Sequence, residues 1–363
     1  MKITFVLGTA GLCGGIRVVA TYAKLLQERG HEVSVVSMAA AQPTLKEQLR
    51  SLLRGKGWIH VSKNPPSHFD NLDIPHRTFN SKPQLGDEDI PDADVVVATF
   101  WITAEWVANL SQKKGAKAYF VQGYEVFGGR GAATYYLPLH KIVISQYLLD
   151  LMQNRHGDRN LSLVPNSVDL QQFNSPVRGK QKTPTVGMLY STELGKGCDL
   201  SLKAVALARQ QIPNLRLIAF GVSQPAPELP LPANTEYIRQ PSQDAIKDIY
   251  SQCDAWLFGS RAEGFGLPIL EAMACRTPVI AFPAGAAPEL VTDGAGIMVE
   301  PENPEAMAKA IVEVCQLSEE RWQIMSDRAY TRAASYSWED ATTLFEAALQ
   351  KTIDLQQQVE YSG

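Results

Sequence analysis

The stretch Glu263-Gly264-Phe265-Gly266-Leu267-Pro268-Ile269-Leu270-Glu271 decides how this chain reads. An apolar, strand-like run, Ala255-Trp256-Leu257-Phe258-Gly259, stands just before it, and the helix-spaced Leu270, Met273 and Ala274 follow. Glu263 therefore falls in a strand-to-helix loop and Glu271 in the opening turns of the helix. Proline near the first helical position fits that start, because its missing N–H has no partner to lose there. Free amides at such a start bind phosphate. A carboxylate one or two turns further in can accept hydrogen bonds from sugar hydroxyls, as the acidic residue does in dinucleotide folds. A diphosphate flanked by two polyol-binding acids describes a nucleotide sugar. Without a ligand, the same residues make a helix start with acid in its first turns, which is favourable in itself.

Outward from this stretch, strand-like and helix-like segments alternate, the pattern of an α/β chain with parallel sheets. The first half reads as strands 2–8, 32–37, 94–100, 116–122, 140–145 and 160–164, with helices 15–29, 102–113 and 146–155. The second half reads as strands 185–190, 215–221, 254–259 and 278–281, with helices 198–211, 242–252, 267–275 and 303–317. A last helix runs from Trp338 to about Ile353 on the apolar spacing of Trp338, Ala341, Phe345, Ala348 and Leu349. Asn174 to Pro184 is rich in breakers and reads as a linker. Residues 62–92 read as irregular loop with short strands.

At 363 residues the chain suits two domains of about 150 to 200 residues each. It is 45% apolar and 20% charged, an ordinary globular balance. No run of eighteen apolar residues marks a spanning helix. The apolar start Ile3-Thr4-Phe5-Val6-Leu7 is too short for a signal peptide and reads as a first strand. Five cysteines, an odd number with no paired spacing, favour reduced, buried thiols in a cytoplasmic protein. Residues 1–175 carry 18 Lys and Arg against 15 Asp and Glu, and the remainder 16 against 23. The basic first half is thus the one expected to meet something anionic. No basic-aromatic array of the nucleic-acid kind is present.

Three further stretches carry two readings each. Gly8-Thr9-Ala10-Gly11-Leu12-Cys13-Gly14-Gly15 follows the first strand and opens a helix. It is either an ordinary tight turn or a place where backbone amides approach a ligand. A dinucleotide-binding oxidoreductase needs an acid at the end of the second strand, and that strand ends Val35-Val36-Ser37-Met38. Asp92-Ala93-Asp94 mimics the acid pair of metal-dependent transferases but stands at the front of a strand, the wrong end for an open α/β site, so it reads as a turn. Leu45 to Trp58 places Leu45, Leu49, Leu52 and Leu53 on one helical face, with Lys46, Arg50, Arg54 and Lys56 beside it. A core-packed helix is the favoured reading. The other is peripheral contact of residues 45–58 with an anionic membrane surface.

The run from Glu263 to Pro278, continuing as Val279-Ile280-Ala281 and on to Pro288-Glu289-Leu290, resembles the signature of the retaining family-4 glycosyltransferases of the GT-B fold. That fold has two Rossmann-like α/β domains facing across a cleft, and the resemblance extends over nearly the whole chain. It implies a first domain of residues 1–175 for the acceptor and a second of residues 176–337 for the nucleotide sugar. The C-terminal helix, 338–363, is expected to cross back to the first domain. By resemblance Glu263 contacts the transferred sugar, Glu271 holds the ribose, and the amides of Phe265, Gly266 and Leu267 hold the diphosphate. Gly14 and Gly15 match a paired glycine beside the donor phosphate and the acceptor. The stretch from Gly187 to Asp199 resembles the family's strand followed by Lys-Gly-x-Asp, which gives Lys196 the task of neutralising the diphosphate. Val164-Pro165-Asn166-Ser167-Val168-Asp169, with Phe173, resembles the motif at the end of the first domain.

Two departures stand out. Many relatives carry an arginine where this chain has Met188, so Lys196 acts with amides and hydroxyls such as Ser191 or Thr192, or another arginine substitutes. Many relatives also place a histidine near the donor sugar, and none of the six here falls there. The corresponding positions read Thr99-Phe100-Trp101 and Val121-Gln122-Gly123-Tyr124-Glu125. The second run resembles a bacterial subgroup acting on cell-surface polysaccharides, and Trp101, Tyr124 and Glu125 become candidate acceptor or sugar contacts. The implied activity is metal-independent, retaining transfer of a hexose-type sugar from a nucleotide diphosphate to a hydroxyl of a glycan or lipid-linked glycan, with no cofactor and no metal. Alternatives are an epimerase or hydrolase of the same fold, the Rossmann oxidoreductase, and a silent sugar-nucleotide binding protein.

Overall fold

The computed structural model of the protein describes residues 1–40, 43–55, 57–59, 66–80, 82–125 and 129–362, with side chains to residue 358. Lys56, residues 62–65 and Ser81, which belong to stretches read above, lie outside the described residues. Two compact units are present. Unit 1 holds the described residues of Met1–Val143 and Leu149–Val164, together with the chain from Thr342; unit 2 holds Ile144–Leu148 and Pro165–Ala341.

Unit 1 is built on β1 (Lys2–Thr9), β2 (Glu32–Met38), β3 (His76–Phe79), β4 (Val95–Ala98), β5 (Ala116–Val121), β6 (His140–Val143) and β7 (Leu161–Leu163). They lie in the order β3-β2-β1-β4-β5-β6-β7, all parallel. Unit 2 is built on β8 (Thr185–Leu189), β9 (Arg216–Gly221), β10 (Thr235–Arg239), β11 (Ala255–Phe258), β12 (Val279–Ala281) and β13 (Gly296–Met298). Their order is β10-β9-β8-β11-β12-β13, again parallel. The central strands β4, β11 and β12 are buried at every residue, which is why they read as unbroken apolar runs rather than as alternations. In each sheet the strand order reverses once, between β1 and β4 and between β8 and β11. Open α/β sheets take ligands at the carboxyl ends of the strands beside such a reversal.

Several elements escaped the sequence reading for a common reason. β10 and β13 are short outer strands with no buried residue, so no long apolar run announces them, whereas β3, equally exposed, falls in the stretch 62–92 expected to hold short strands. Helix Glu319–Ala334 buries Trp322, Ser326, Ala329 and Ala333, a stripe of mostly small residues that looks polar in sequence. The segment read as a linker, 174–184, is instead fastened to unit 2. Arg178 donates to Cys253 O at 2.7 Å and Thr277 Oγ1 at 2.8 Å, and its guanidinium lies 4.8 Å from the Trp322 ring centre. The Lys180 ammonium donates to Cys315 O and Leu317 O, both at 2.7 Å. The buried Asp254 carboxylate accepts from the amides of Gln181 and Thr185, both at 2.8 Å. The compact units accordingly part at Val164 and Pro165, ahead of this strap.

Helix Leu45–Leu53 forms where the leucine spacing places it, but the expected core packing is reversed. Gln48 and Ser51 face inward and the leucines face out. Among the described residues no helix is long and apolar enough to cross a membrane.

The last helix, Trp338–Ser362, starts in unit 2 and belongs to unit 1 from Thr342. Phe345 is fully buried there, stacked on Tyr22 at 4.3 Å and edge-on to Phe120 at 5.1 Å between ring centres. Glu346 pairs with Arg29 at 3.1 Å, Lys351 donates to Leu161 O at 2.8 Å, and Thr352 Oγ1 lies 3.0 Å from His140 Nδ1. These contacts make the helix part of the unit 1 core. Phe345→Ala is therefore expected to lower the unfolding free energy of unit 1 by roughly 3–5 kcal/mol. Urea unfolding followed by circular dichroism measures it, and a change below about 0.5 kcal/mol, the range of surface substitutions, contradicts the assignment.

Candidate functional site

In unit 2, β8 runs into Tyr190 and Ser191, then a short 3-10 turn, Leu194–Lys196, and then helix Cys198–Ala208. Gly197 joins turn to helix with φ at 59°, and a Cβ there would overlap the carbonyl oxygen of Gly259, the residue after β11. Only glycine lets the turn lie on the end of β11. That approach brings Lys196, which follows β8, to Glu263, which follows β11. Lys196 Nζ donates to Glu263 Oε1 at 2.8 Å, and Ser260 Oγ donates to the same oxygen at 2.9 Å.

Arg261 fixes the turn from the other side. Its amide donates to Gly195 O at 2.8 Å, and its guanidinium grips both Asp199 oxygens at 2.8 and 2.7 Å. Further bonds reach Leu194 O at 2.8 Å and Glu302 at 3.0 Å. The Asp199 carboxyl is held below its ordinary range chiefly by the Arg261 hydrogen bonds, and Arg261 is raised above its own, first by Asp199. Sequence reasoning missed this arginine because its partner lies on another strand's helix, and no local spacing signals the pair. Met188, one of the two departures noted in the sequence, is buried in the apolar core of unit 2. The Arg261 guanidinium is engaged with Leu194, Asp199 and Glu302.

Helix Leu267–Ala274 starts at Gly266, whose φ is 101° and which has no side chain to cap the exposed amides. A Cβ at Gly266 would lie 2.8 Å from Phe258 Cζ, so glycine is required on both counts. Phe265 buries its ring, and its carbonyl accepts from the Ala286 amide at 2.9 Å. The amides of Phe265, Gly266 and Leu267 thus stand in a loop clamped from both sides, since Gly264 O also accepts from Ser145 Oγ at 2.8 Å. Glu271, one turn into the helix, is only 5% exposed, and Tyr250 OH donates to its Oε2 at 2.9 Å. Tyr250 has no local sequence signal either; it sits on helix Gln243–Ser251.

In unit 1, helix Gly14–Glu28 starts without a side-chain cap and without acid in its first turn. A Cβ at Gly15 would meet the Gln122 side-chain amide at 3.4 Å, a contact that a flexible amide can relieve, so packing alone does not demand glycine. Gln122 Oε1 is buried there and meets no hydrogen-bond partner among the described residues.

Trp101, Tyr124 and Glu125 converge at the carboxyl ends of β4 and β5. The Trp101 amide opens helix Trp101–Ala108 and donates to Glu125 Oε2 at 2.8 Å; Tyr119 OH donates to the same oxygen at 3.0 Å. Tyr124 stacks on Tyr135 at 5.5 Å, and Arg130 and Arg155 lie over the Trp101 and Tyr124 rings at 5.4 and 5.5 Å. His156, set aside in the sequence reading, ends helix Gln146–His156 against Tyr135 and Tyr136, each at 5.1 Å. Burial first, then Arg155, keep its pKa below the ordinary imidazole value.

Two other stretches resolve as local structure. Asp169 caps the turn after Val164, accepting from the amides of Gln171 and Gln172 at 2.8 and 3.2 Å, while the neighbouring Asn166 buries an Oδ1 that meets no partner among the described residues. Asp94 accepts from the Lys2 amide at 2.6 Å and Asp92 pairs with Lys114 at 2.7 Å, both at the amino end of the sheet. Among the described residues no three His, Cys, Asp or Glu side chains converge on one point.

Burial pushes the Glu125 carboxyl up from its ordinary 4.5 to about 7, against the hydrogen bonds of Trp101 and Tyr119. In the unfolded chain the same group ionises near 4.5. Below that pH it is protonated in both states; as pH rises to about 7 the unfolded chain releases the proton first, so stability falls across this window. Glu125→Gln is expected to flatten that fall and to leave unit 1 more stable than the native chain at pH 8, by roughly 1–3 kcal/mol. Urea midpoints at pH 5 and pH 8 test this, and parallel pH profiles for the two proteins would assign the titration elsewhere.

Comparison with known proteins bears on the same residues. Residues 171–332 match the family described as Glycosyl transferases group 1. Among curated proteins, the chain is 36% identical over 104 residues to the O-antigen chain mannosyltransferase B of Escherichia coli, covering 28% of this chain and 26% of that one. It is 27% identical over 222 residues to the D-inositol 3-phosphate glycosyltransferase of Mycobacterium marinum, covering 55% and 47%. The chain thus spans between about a quarter and a half of the length of the curated relatives it matches. Among solved structures it is similar to Anabaena HepE in complex with UDP and glucose, at a TM-score of 0.74 and 18% identity over 96% of this chain and 99% of that one. With its two Rossmann-like units, each on a parallel sheet, the chain has the GT-B fold.

Proposed function

We propose that this protein is a retaining glycosyltransferase that moves a hexose-type sugar from a nucleotide diphosphate to a hydroxyl of a glycan or lipid-linked glycan, without a metal ion. One observation carries the reading. Lys196 and Glu263 meet at 2.8 Å where the strand order of unit 2 reverses, beside the uncapped helix start at Gly266 that leads to Glu271. Support comes from the family match over residues 171–332 and from the O-antigen chain mannosyltransferase among the relatives.

The lysine–glutamate pair is partly solvent-exposed, and such pairs hold weakly. A donor diphosphate, carrying more charge than one carboxylate, takes the ammonium over. The amides of Phe265, Gly266 and Leu267 bind the phosphate oxygens. Glu263, still held by Ser260, is then free to accept from a sugar hydroxyl. Glu271, oriented by Tyr250, accepts from the ribose hydroxyls. As the anomeric carbon–phosphate oxygen bond breaks, charge grows on the diphosphate, and a fixed ammonium stabilises that charge more in the transition state than before it. The acceptor oxygen bonds to the anomeric carbon on the same face, its proton passes to the departing phosphate oxygen, and the nucleoside diphosphate leaves. Gly14 and Gly15 approach the donor phosphate and the acceptor, and Trp101, Tyr124 and Glu125 contact the acceptor or sugar. All five cysteines are free, four of them buried, which fits a reducing cytoplasmic setting.

Three tests divide this reading from its rivals. Glu271→Gln keeps an oxygen for Tyr250 but replaces an acceptor with a donor, so nucleoside diphosphate affinity is expected to fall by roughly 1–3 kcal/mol. Glu263→Ala is expected to cut turnover while leaving that affinity nearly intact. Equal losses of affinity in both variants, by calorimetry, would falsify this division of the acids. Nucleotide release should also require acceptor: release from the donor alone marks a hydrolase, and conversion of the sugar without release marks an epimerase. Activity is expected to survive EDTA, because Lys196 and the helix amides meet the diphosphate; activity lost to EDTA and restored by magnesium or manganese refutes that part.

A further inference from the structure

Helix Leu45–Leu53 is built inside out for a soluble core. Leu45, Leu49 and Leu53 are 84%, 59% and 81% exposed, while Gln48 is 6% exposed. Leu52 is also exposed, and so are Trp58 and Ile59 in the loop that follows. Among the described residues, polar bonds attach the helix. The Gln48 amide donates to Ile59 O and accepts from the Ile59 amide, both at 2.8 Å, and Ser51 Oγ donates to Gly57 O at 2.7 Å. Single exposed apolar residues are normal, but a contiguous apolar stripe marks a surface that meets something.

Charge selects the partner. Lys46, Arg50 and Arg54 recur every four residues, so they form one row along the edge of the leucine stripe. The acid of this helix, Glu47, is turned back to its start, where it accepts from the Thr44 amide and Oγ1, both at 2.8 Å. We propose that this face docks on an anionic lipid surface, with Leu45, Leu49, Leu52, Leu53 and Trp58 entering the boundary between headgroups and acyl chains and the basic row on the headgroup phosphates. The inference stands on the exposed face and not on the donor site of unit 2.

Cosedimentation of the whole chain tests it, with vesicles of phosphatidylglycerol in phosphatidylcholine against phosphatidylcholine alone, at low and high salt. The native chain is expected to bind the anionic vesicles at low salt and to lose roughly tenfold or more in affinity on neutral vesicles or at high salt. Leu49→Asp with Leu53→Asp, both at exposed positions, should abolish binding while circular dichroism and nucleoside diphosphate affinity stay unchanged. Arg50→Ala with Arg54→Ala should weaken binding and reduce its salt dependence. Native tryptophan emission should shift to the blue on anionic vesicles, and the shift should shrink in Trp58→Phe. No vesicle binding, or binding indifferent to lipid charge, overturns the proposal. So does self-association in solution that the leucine variant abolishes, because a second copy then covers the face. Each of these failures leaves nucleotide binding intact and is distinct from failure of the transferase reading.

Discussion

A lysine that follows one strand can meet a glutamate that follows another only if the two chain segments touch backbone to backbone. Gly197 provides that approach, lying on the carbonyl of Gly259 with no room for a Cβ. Its consequences spread through unit 2. The turn carrying Lys196 rests on the end of β11, Arg261 bridges back to Asp199 and Leu194, and Glu263 receives both Lys196 and Ser260. A side chain at residue 197 would lift the turn and separate the charges. The site is thus a property of the backbone first and of the charged groups second.

The far side of unit 2 is held by a buried carboxylate. Asp254 is pushed up by burial, and the amides of Gln181 and Thr185 oppose that shift by supplying two hydrogen bonds. Those bonds set where β8 begins, while Trp322 Nε1 donates to the Asp254 carbonyl at 2.9 Å and draws helix Glu319–Ala334 to the same point. The strap before β8 and the helix at its foot therefore share one anchor. A polar network of this kind specifies position well when every member is satisfied.

The central strands and their helices were legible because burial on both faces writes itself into consecutive residues, as in Val95-Val96-Val97-Ala98. The positions of Glu263, in a strand-to-helix loop, and of Glu271, in the opening turns of a helix, were legible from the residues, but their partners were not. Arg261 with Asp199, and Tyr250 with Glu271, join residues on different elements, and no spacing within one element encodes them. Outer strands were lost because half-exposed residues carry weak patterns. The stretch 174–184 misled in the opposite direction: its prolines and glycine mark irregular backbone, which says nothing about whether lysine and arginine side chains then fasten it down.

Helix Leu45–Leu53 shows where periodicity stops informing. A period of 3.6 identifies a helix and an apolar face, and the face normally turns to the core because burial of leucine outweighs other terms. Here the nearby loop presents the backbone of Gly57 and Ile59, and Gln48 and Ser51 satisfy those groups from the opposite face. Each such bond contributes only about 0.5–1.5 kcal/mol net, less than burying a leucine. Folding alone therefore gives no reason to prefer this orientation. The capping box at Thr44 and Glu47 secures the helix start without any contribution from the leucines. What the isolated chain leaves unused is the largest favourable term available to this helix, the burial of its leucines.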